Sequence, residues 1–245
     1  MSADDPILAV LAVVFVATLV RSALGFGEAL VAVPLLALLI PVTVAVPLAV
    51  LLSVTVAAVV VVQDWDKVRV RTAVRLVVPT LVGIPLGLLA LTAVAEPVVK
   101  AVLAAVIVAF SAYCLARRTP VELTDDRLAW VFGFAAGVLG GAYGVNGPPL
   151  VVYGTLRRWP PEQFRATLQG YFLPASLVGM VGYWAAGLWV PDVTRYYLLS
   201  LPPAAVAVVL GRAINRRLTG RAFLVAVHVG LIAAGTVLFV QAVWG

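Results

Sequence analysis

The sequence Gly140-Gly-Ala-Tyr-Gly-Val-Asn-Gly-Pro-Pro149 separates two short apolar runs, residues 128–140 and 148–156. A second glycine-containing break, Ser22-Ala-Leu-Gly-Phe-Gly-Glu28, separates the runs 7–20 and 28–40. As helices these four runs reach roughly 13 to 21 Å, which is less than a ~30 Å hydrocarbon core. Irregular backbone at membrane depth is stable only inside protein or beside a wet cavity. We therefore expect each pair of runs to form a helical hairpin that enters the membrane part-way.

The composition of the chain is typical of a membrane protein. Its 245 residues are 63% apolar and 11% charged, whereas soluble domains contain about 45–50% and about 25%. No room is left for a soluble catalytic domain, and the predicted class is an all-α polytopic membrane protein. Six further apolar runs are long enough to span a bilayer: residues 42–62, 76–95, 98–116, 166–187, 196–211 and 222–243.

The basic residues are concentrated in alternate loops. Fourteen of the 17 lie near residues 67–75, 117–127, 157–165 and 212–221, and the positive-inside rule predicts that these four loops are cytoplasmic. The opposite loops and both termini are then predicted on the outer side. The net charge of +6 does not indicate a nucleic-acid partner, because the cations lie in short loops rather than on one folded face. The residues before the first apolar run include Asp4 and Asp5 rather than the basic residues of a removable signal peptide, so we expect this run to remain in the mature protein.

The two halves of the chain contain the same order of elements. Residues 1–118 contain hairpin 7–40 and the spans 42–62, 76–95 and 98–116, and residues 119–245 contain hairpin 128–156 and the spans 166–187, 196–211 and 222–243. Each half crosses the membrane an odd number of times, so the second half is inverted relative to the first. The basic loop accordingly follows the first full span in the first half and the second full span in the second half. Inverted repeats with broken helices are common in secondary transporters. The sequence therefore predicts a transporter built from two inverted repeats.

The two breaks form the candidate substrate site. The second arm of each hairpin begins at its break, so its free N–H groups and positive dipole end face the membrane interior and favour an anion. Asn146 is predicted to be the N-cap of one arm, and Gly144 and Gly147 allow close approach of the backbone to a ligand. Tyr143 belongs to the same break and is included as a candidate contact. Tight helix packing is the alternative explanation for these glycines.

Arg21 and Glu28 are the only charged residues that we expect inside the membrane, where a charge is costly and indicates function by default. Arg21 offers a forked guanidinium group to an oxyanion. The helix dipole favours ionised Glu28, but its charge would repel an anion unless it took up a proton, so Glu28 is the candidate for proton coupling. Two alternatives remain open: an ion pair that only fixes the hairpin, or Arg21 reaching an interface.

Three other polar residues, Ser53, Gln169 and Ser176, lie at plausible depth on the spans that follow the hairpins. Hydrogen bonding between helices explains each of them as well as substrate contact does. His228 is predicted to be a packed residue, since no second histidine or carboxylate accompanies it. We find no metal-binding, nucleophile or phosphate-loop motif. The protein is therefore expected to be neither an enzyme nor an ATP-driven pump, and to need no cofactor.

Three stretches carry a family resemblance: LGFGEALVAVPLL at 24–36, GVLGGAYGVNGPPLV at 137–151 and FRATLQ at 164–169. They resemble the sulfite exporter TauE/SafE (TSUP) family. The resemblance implies a bacterial inner-membrane transporter of sulfite, sulfonates or related small anions. It also implies that Gly25 and Gly27, with Gly144, Asn146 and Gly147, lie at or near the substrate path. Glu28 stands where many members have glycine, which favours proton linkage.

The predicted function is secondary transport, as an exporter, of a small sulfur-containing oxyanion or organosulfonate by alternating access with proton coupling. A channel-like path for another small anion such as a carboxylate is the alternative. In a third hypothesis the protein is a membrane-embedded assembly or sensor subunit in which Arg21 and Glu28 only lock the hairpin. The predicted partners are the small anion and the lipid bilayer, and a homo-oligomer is left open.

Overall fold

The computed structural model describes residues 6–64, 68–116, 122–123, 126–217 and 221–244. These residues form helices and connecting turns, and the predicted all-α class is confirmed. The ten helices are α1 (Ile7–Leu24), α2 (Glu28–Leu36), α3 (Val42–Asp64), α4 (Val70–Ala93), α5 (Glu96–Ala116), α6 (Ala129–Tyr143), α7 (Gly147–Leu156), α8 (Pro161–Ala185), α9 (Pro191–Arg217) and α10 (Arg221–Trp244).

Four of the described helices are long and apolar enough to cross a membrane. They contain the segments Val42–Val59, Val70–Ala93, Glu96–Ala116 and Pro191–Ile214. The predicted spans 166–187 and 222–243 fall in α8 and α10, which have 25 and 24 residues. The described residues of these two helices contain no stretch that is both long enough and apolar enough to cross a membrane. These helices and the apolar composition identify a polytopic membrane protein.

Several helices extend beyond the apolar runs that predicted them. α1 has 18 residues rather than 14, α4 begins at Val70 rather than at residue 76, and α9 covers Pro191–Arg217 rather than 196–211. An apolar run measures only the hydrophobic part of a helix, whereas backbone hydrogen bonding continues into its polar ends. The helix lengths therefore exceed the predicted ones at the charged ends.

Both predicted hairpin breaks are present but shorter than expected. They contain residues 25–27 between α1 and α2, and residues 144–146 between α6 and α7. Gly25, Gly27 and Gly144 have φ angles of 84°, 96° and 66°, a left-handed backbone that glycine adopts without a Cβ penalty. The flanking residues of the predicted breaks, 22–24 and 140–143, continue the preceding helices.

The principal contacts between helices join the two halves of the chain. α1 packs on α9, α4 on α6, α3 on α8 and α5 on α10. The contact of α4 with α6 is the closest in geometry, since a Cβ added at Gly141 would lie 2.1 Å from the carbonyl oxygen of Ile84. Small residues permit such close approach in membrane proteins. The core is therefore shared by both halves.

Contacts also bring three of the basic loops to one end of the bundle. Arg75 at the start of α4 forms an ion pair with Asp126, and Arg157 after α7 approaches the same carboxylate at 3.1 Å. The backbone N–H of Arg69 donates to the Thr167 hydroxyl of α8 at 3.3 Å. We call this side of the molecule the basic end. Lys67, Arg117 and Arg118, which also contributed to the topology prediction, lie outside the described residues.

Candidate functional site

A small cavity lies between the two hairpin breaks. Its volume is about 20 Å³, which is room for one water molecule. Both helix N-termini that follow the breaks reach it, that of α2 and that of α7. The residues lining it are Arg21, Phe26, Gly27, Glu28, Ala29, Leu30, Ser53, Phe110, Gly144, Val145, Asn146, Gly147, Pro148 and Phe172. The structure thus brings together two breaks that are more than 100 residues apart in the sequence.

Arg21 is the centre of the hydrogen-bond network at this cavity. Its Nη1 forms an ion pair with Glu28 and donates to Ser53 Oγ at 2.8 Å. Its Nη2 donates to Gln169 Oε1 at 2.7 Å. The guanidinium carbon also lies 5.6 Å from the ring centroid of Phe172, within the range of a cation–π contact. Arg21 therefore connects α1 with α2, α3 and α8.

The partners of Arg21 are themselves fixed by neighbouring groups. Glu28 accepts a hydrogen bond from Thr18 at 3.0 Å, and Gln169 Nε2 donates to the carbonyl oxygen of Gly25 at 2.6 Å. The first break is therefore held on one side by α1 and on the other by α8. The site is a preorganised polar cluster rather than a set of independent side chains.

The two charges are fully inside the protein. Arg21 and Glu28 are 3% and 2% exposed, so the alternative that Arg21 reaches an interface is wrong, because its guanidinium is satisfied by partners at depth. The ion pair of the other alternative is present. The Nε of Arg21 nevertheless has no hydrogen-bond partner, and an unpaired buried donor costs about 1–3 kcal/mol. One donor of the guanidinium is thus left for another acceptor.

The second break presents backbone donors to the same cavity. Asn146 occupies the N-cap position of α7, as predicted, but its side chain makes no capping hydrogen bond. Its amide instead packs against α6, since a Cβ at Gly140 would lie 2.5 Å from Asn146 Nδ2, and it interacts with the Tyr171 hydroxyl. Pro148 and Pro149 have no N–H group, so the Asn146 side chain finds no donor to cap in the first turn of α7. The N–H of Gly147 and the positive end of the helix dipole remain to stabilise an anion.

The remaining predicted residues occupy different positions. Gly25 contributes its carbonyl oxygen to Gln169, and Gln169 acts on Arg21 without lining the cavity. Tyr143 and Ser176 are buried, with 6% and 4% exposure, but neither lines the cavity. Ser176 lies two turns beyond Gln169 on the same face of α8. The structure therefore separates these two from the group around Arg21.

Sequence reasoning missed several lining or supporting residues. Thr18 lies one turn before Arg21, and Phe172 one turn after Gln169, so helical spacing could have placed each on the face of its predicted neighbour. Phe26 lies inside the first break itself. Phe110 comes from α5 and gave no local signal. Its ring packs edge-on against His228, with centroids 5.9 Å apart, so His228 is a packed residue as predicted.

Aromatic rings connect the cavity to the basic end. Phe26 contacts Phe164 with centroids 6.1 Å apart, Phe164 contacts Trp159 at 6.3 Å, and Trp159 contacts Tyr153 at 5.5 Å. Gly154 leaves space for these rings, because a Cβ there would lie 2.6 Å from Phe164 Cε2. A continuous series of packed rings therefore extends from the cavity to the basic end.

Comparison with known proteins agrees with this architecture. The family model for the sulfite exporter TauE/SafE matches residues 10–238, a range that extends from α1 into α10 and includes both breaks. No curated protein and no solved structure matches the chain. The family is one of membrane transporters, and its model includes the buried charged cluster formed by Arg21 and Glu28. The chain belongs to the sulfite exporter TauE/SafE family.

Proposed function

We propose that the protein is a secondary transporter that exports a small sulfur-containing oxyanion or organosulfonate by alternating access, with Glu28 coupling transport to protons. The observation that carries the proposal is the cavity at which a buried arginine and the N-termini of α2 and α7 converge. Both features stabilise negative charge, and together they favour an anion inside a membrane. The family supplies the substrate class.

The packing of the helices supports two inverted repeats, residues 1–118 and 119–245. If the halves are repeats, α1 corresponds to α6, α2 to α7, and so on to α5 and α10. The contact of α1 with α9 then corresponds to the contact of α6 with α4, and both are present. In the same way, the contact of α3 with α9 corresponds to that of α8 with α4, and both are present. The pairs α3–α8 and α5–α10 correspond to themselves. A pseudo-two-fold relation of this kind is the architecture in which alternating access occurs.

The charge balance of the cavity supports proton coupling. Arg21 is already neutralised by Glu28, so an entering anion adds a negative charge next to a carboxylate. Two like charges about 4 Å apart repel by about 4 kcal/mol at an effective dielectric of about 20. Protonation of Glu28 removes this repulsion and frees Nη1 of Arg21 for the anion. We therefore propose that one proton accompanies each anion, so that export occurs when the outward gradient of the anion exceeds the inward gradient of the proton.

The volume of the cavity supports a conformational step. About 20 Å³ accommodates one water molecule but not an oxyanion with four or more heavy atoms, so the site must widen for binding. The ring contacts from Phe26 to Tyr153 must separate to open it toward the basic end. By the positive-inside rule, that end is cytoplasmic and both termini are outside, in the inner membrane of a bacterium.

Two other functions each rest on one observation. A guanidinium group binds carboxylates as well as sulfur oxyanions, so a channel-like path for a small carboxylate uses the same residues. The Arg21–Glu28 ion pair is also what a purely structural lock requires, as in an assembly or sensor subunit. Flux measurements on wild type and on Glu28→Gln, which lacks the carboxylate charge, distinguish these two functions from the proposed one.

The test is uptake of labelled sulfite, and of a panel of sulfonates and carboxylates, into proteoliposomes with and without an inward proton gradient. Wild type is compared with Glu28→Gln. Glu96→Gln is the matched control, since Glu96 also lies in the first turn of a helix but is exposed and distant in sequence from both breaks. We expect gradient-driven uptake in wild type and in Glu96→Gln, and its loss in Glu28→Gln while downhill exchange persists.

The other outcomes contradict the proposal in different ways. Uptake that ignores both the gradient and the Glu28→Gln substitution excludes proton coupling and favours the channel-like path. Uptake of carboxylates alone excludes the sulfur-anion substrate. No flux of any ligand, together with reduced stability of Glu28→Gln, supports the structural lock.

A further inference from the structure

A second cavity lies on the outside of the bundle between α3 and α9. It is a groove of about 720 Å³, far larger than the cavity at Arg21, and almost all of its lining is apolar. The lining residues are Leu52, Thr55, Val56, Val59, Leu201, Ala204, Ala205, Val208, Val209, Arg212 and Ala213. Val59 and Val209 are 42% and 68% exposed, so the groove opens to the surface that faces the hydrocarbon. Water does not fill an apolar groove at this depth.

The dimensions of the groove correspond to one leaflet of the bilayer. On α9 the lining extends from Leu201 to Ala213, which is about 18 Å of helix. Half of a ~30 Å hydrocarbon core is about 15 Å. One turn before Leu201, the Tyr197 hydroxyl is hydrogen-bonded to Thr55 at 2.7 Å, which joins the two helices at the deep end. The groove therefore accommodates a single acyl chain that enters from one side of the membrane.

The shallow end of the groove carries a cation. Arg212 is exposed, and none of the ion pairs among the described residues involves it. Val59 and Arg212 lie near the C-terminal ends of α3 and α9, beside the loops that carry the basic residues. An apolar groove one leaflet deep that ends at an exposed arginine is complementary to a lipid with an apolar tail and an anionic headgroup.

We propose that the groove between α3 and α9 binds an anionic phospholipid, with one acyl chain along the groove and the phosphate on Arg212. The bound lipid contacts helices that border the substrate site. On α3, Ser53 follows the groove residue Leu52 directly and accepts a hydrogen bond from Arg21. α9 lies against α1 at Gly211, where a Cβ would be 2.5 Å from the Cβ of Ser22.

The test measures lipid binding to the purified full-length protein by native mass spectrometry during titration with phosphatidylglycerol or phosphatidylcholine. Loss of one basic side chain at an anionic surface costs about 1 kcal/mol, which corresponds to about fivefold in affinity. We expect Arg212→Gln to weaken phosphatidylglycerol binding about fivefold. Phosphatidylcholine binding should weaken less, because its choline cation already neutralises the phosphate, and Arg212→Lys should retain the preference. Ala205→Trp, which fills the groove, should weaken both lipids. Arg71→Gln is the matched control, an exposed arginine near the same end outside the groove.

Three results would overturn the proposal. The first is equal binding of the two lipids to wild type, and the second is an unchanged lipid preference in Arg212→Gln. The third is a dimer that Ala205→Trp dissociates without any change in lipid binding, which assigns the groove to a second copy of the chain. The arginine variants keep the test decisive even if Ala205→Trp fails to fold, because Arg212 is exposed and makes no ion pair in the described structure.

Discussion

Arg21 and Glu28 contribute to stability as well as to the proposed transport, and their substitution separates the two roles. Arg21→Gln leaves a carboxylate buried without its counter-charge, since Glu28 is 2% exposed. Breaking a buried pair in this way costs about 3–5 kcal/mol. We expect the single variant to unfold at lower denaturant concentration in detergent, and the double variant Arg21→Gln/Glu28→Gln to recover most of the loss.

The double variant also provides the control for substrate binding. If Arg21 binds the anion, the stable double variant should show no uptake in proteoliposomes. Uptake at the wild-type rate would show that Arg21 is only a structural residue. Equal stability of all three proteins would contradict the view that the pair holds the hairpin.

At the scale of single residues, the sequence predicted the charged centre better than its surroundings. Arg21 and Glu28 were identifiable because an ionised group in an apolar region is rare and costly. Helical spacing indicates the faces of Thr18 and Phe172, but their contacts depend on how α1 and α8 pack against other helices. Asn146 makes no capping hydrogen bond because Pro148 and Pro149, at the positions that would donate to it, have no N–H. Its amide packs against Gly140 instead.

Helix contacts in this protein depend on glycine where α4 and α6 meet. A Cβ at Gly141 would lie 2.1 Å from the carbonyl oxygen of Ile84 and 2.9 Å from the N atom of Leu88, so the backbones must separate to accept alanine. Overpacking of this kind costs about 1–3 kcal/mol. We expect Gly141→Ala to reduce the free energy of unfolding by about this amount, measured by thermal unfolding in detergent.

Gly179→Ala in α8 is the matched control. The nearest atom to its added Cβ is Tyr183 Cε2 at 3.9 Å, an ordinary contact. The better helix propensity of alanine then leaves stability unchanged or raises it by up to about 1 kcal/mol. Similar losses in both variants would mean that glycine itself, rather than the α4–α6 contact, determines the effect.

Asp126 joins α4 to the end of α7 and makes this contact sensitive to acid. Partial burial raises the pKa of Asp126, but the hydrogen bond from Tyr153 and the charges of Arg157 and Arg75 outweigh it and hold the pKa below its usual value. The stabilisation is therefore complete above the unfolded-state value of about 3.9 and is lost as the pH falls through the lower folded-state pKa. We expect wild type to exceed Asp126→Asn in melting temperature at neutral pH.

The difference between the two proteins should shrink below about pH 4, where Asp126 of the unfolded state takes up a proton, and should vanish below the lower pKa of the folded state. Glu122→Gln is the control, because both partners of its ion pair are largely exposed, with 48% and 64% exposure for Glu122 and Arg158, and such pairs contribute little. A difference between wild type and Asp126→Asn that does not change with pH would contradict the assigned role of the charge.

At the scale of helices, apolar runs predicted the number and order of the elements but not their ends. The hairpin breaks were predictable because glycine and proline cluster there, and the left-handed φ angles at Gly25 and Gly144 explain why. The ends of α4 and α9 were not, because their terminal turns contain charged residues that a hydrophobicity pattern excludes. The contact of α4 with α6 has a sequence pattern, since glycines stand four residues apart in both helices, at Gly83 and Gly87 and at Gly137 and Gly141. This spacing does not indicate which helix pairs with which.

At the scale of the whole molecule, charge distribution determines orientation in the membrane. The contacts of Asp126 with Arg75 and Arg157 place three of the basic loops at one end, and Asp192, in the first turn of α9, lies outside this network. Positive loops remain on the cytoplasmic side during insertion. We therefore predict that Glu122, at the basic end, is cytoplasmic and that Asp192 is external.

Cysteine labelling in whole cells tests this orientation. The native Cys114 is first replaced by alanine, and Glu122→Cys and Asp192→Cys are introduced separately at these two exposed positions. A membrane-impermeant thiol reagent should label Asp192→Cys in intact cells, but Glu122→Cys only after permeabilisation. The reverse pattern would invert the molecule, and labelling of both positions in intact cells would place them on one side. Either result would remove the positive-inside argument and would make the ring contacts between Phe26 and Trp159 the closure of the external rather than the cytoplasmic route.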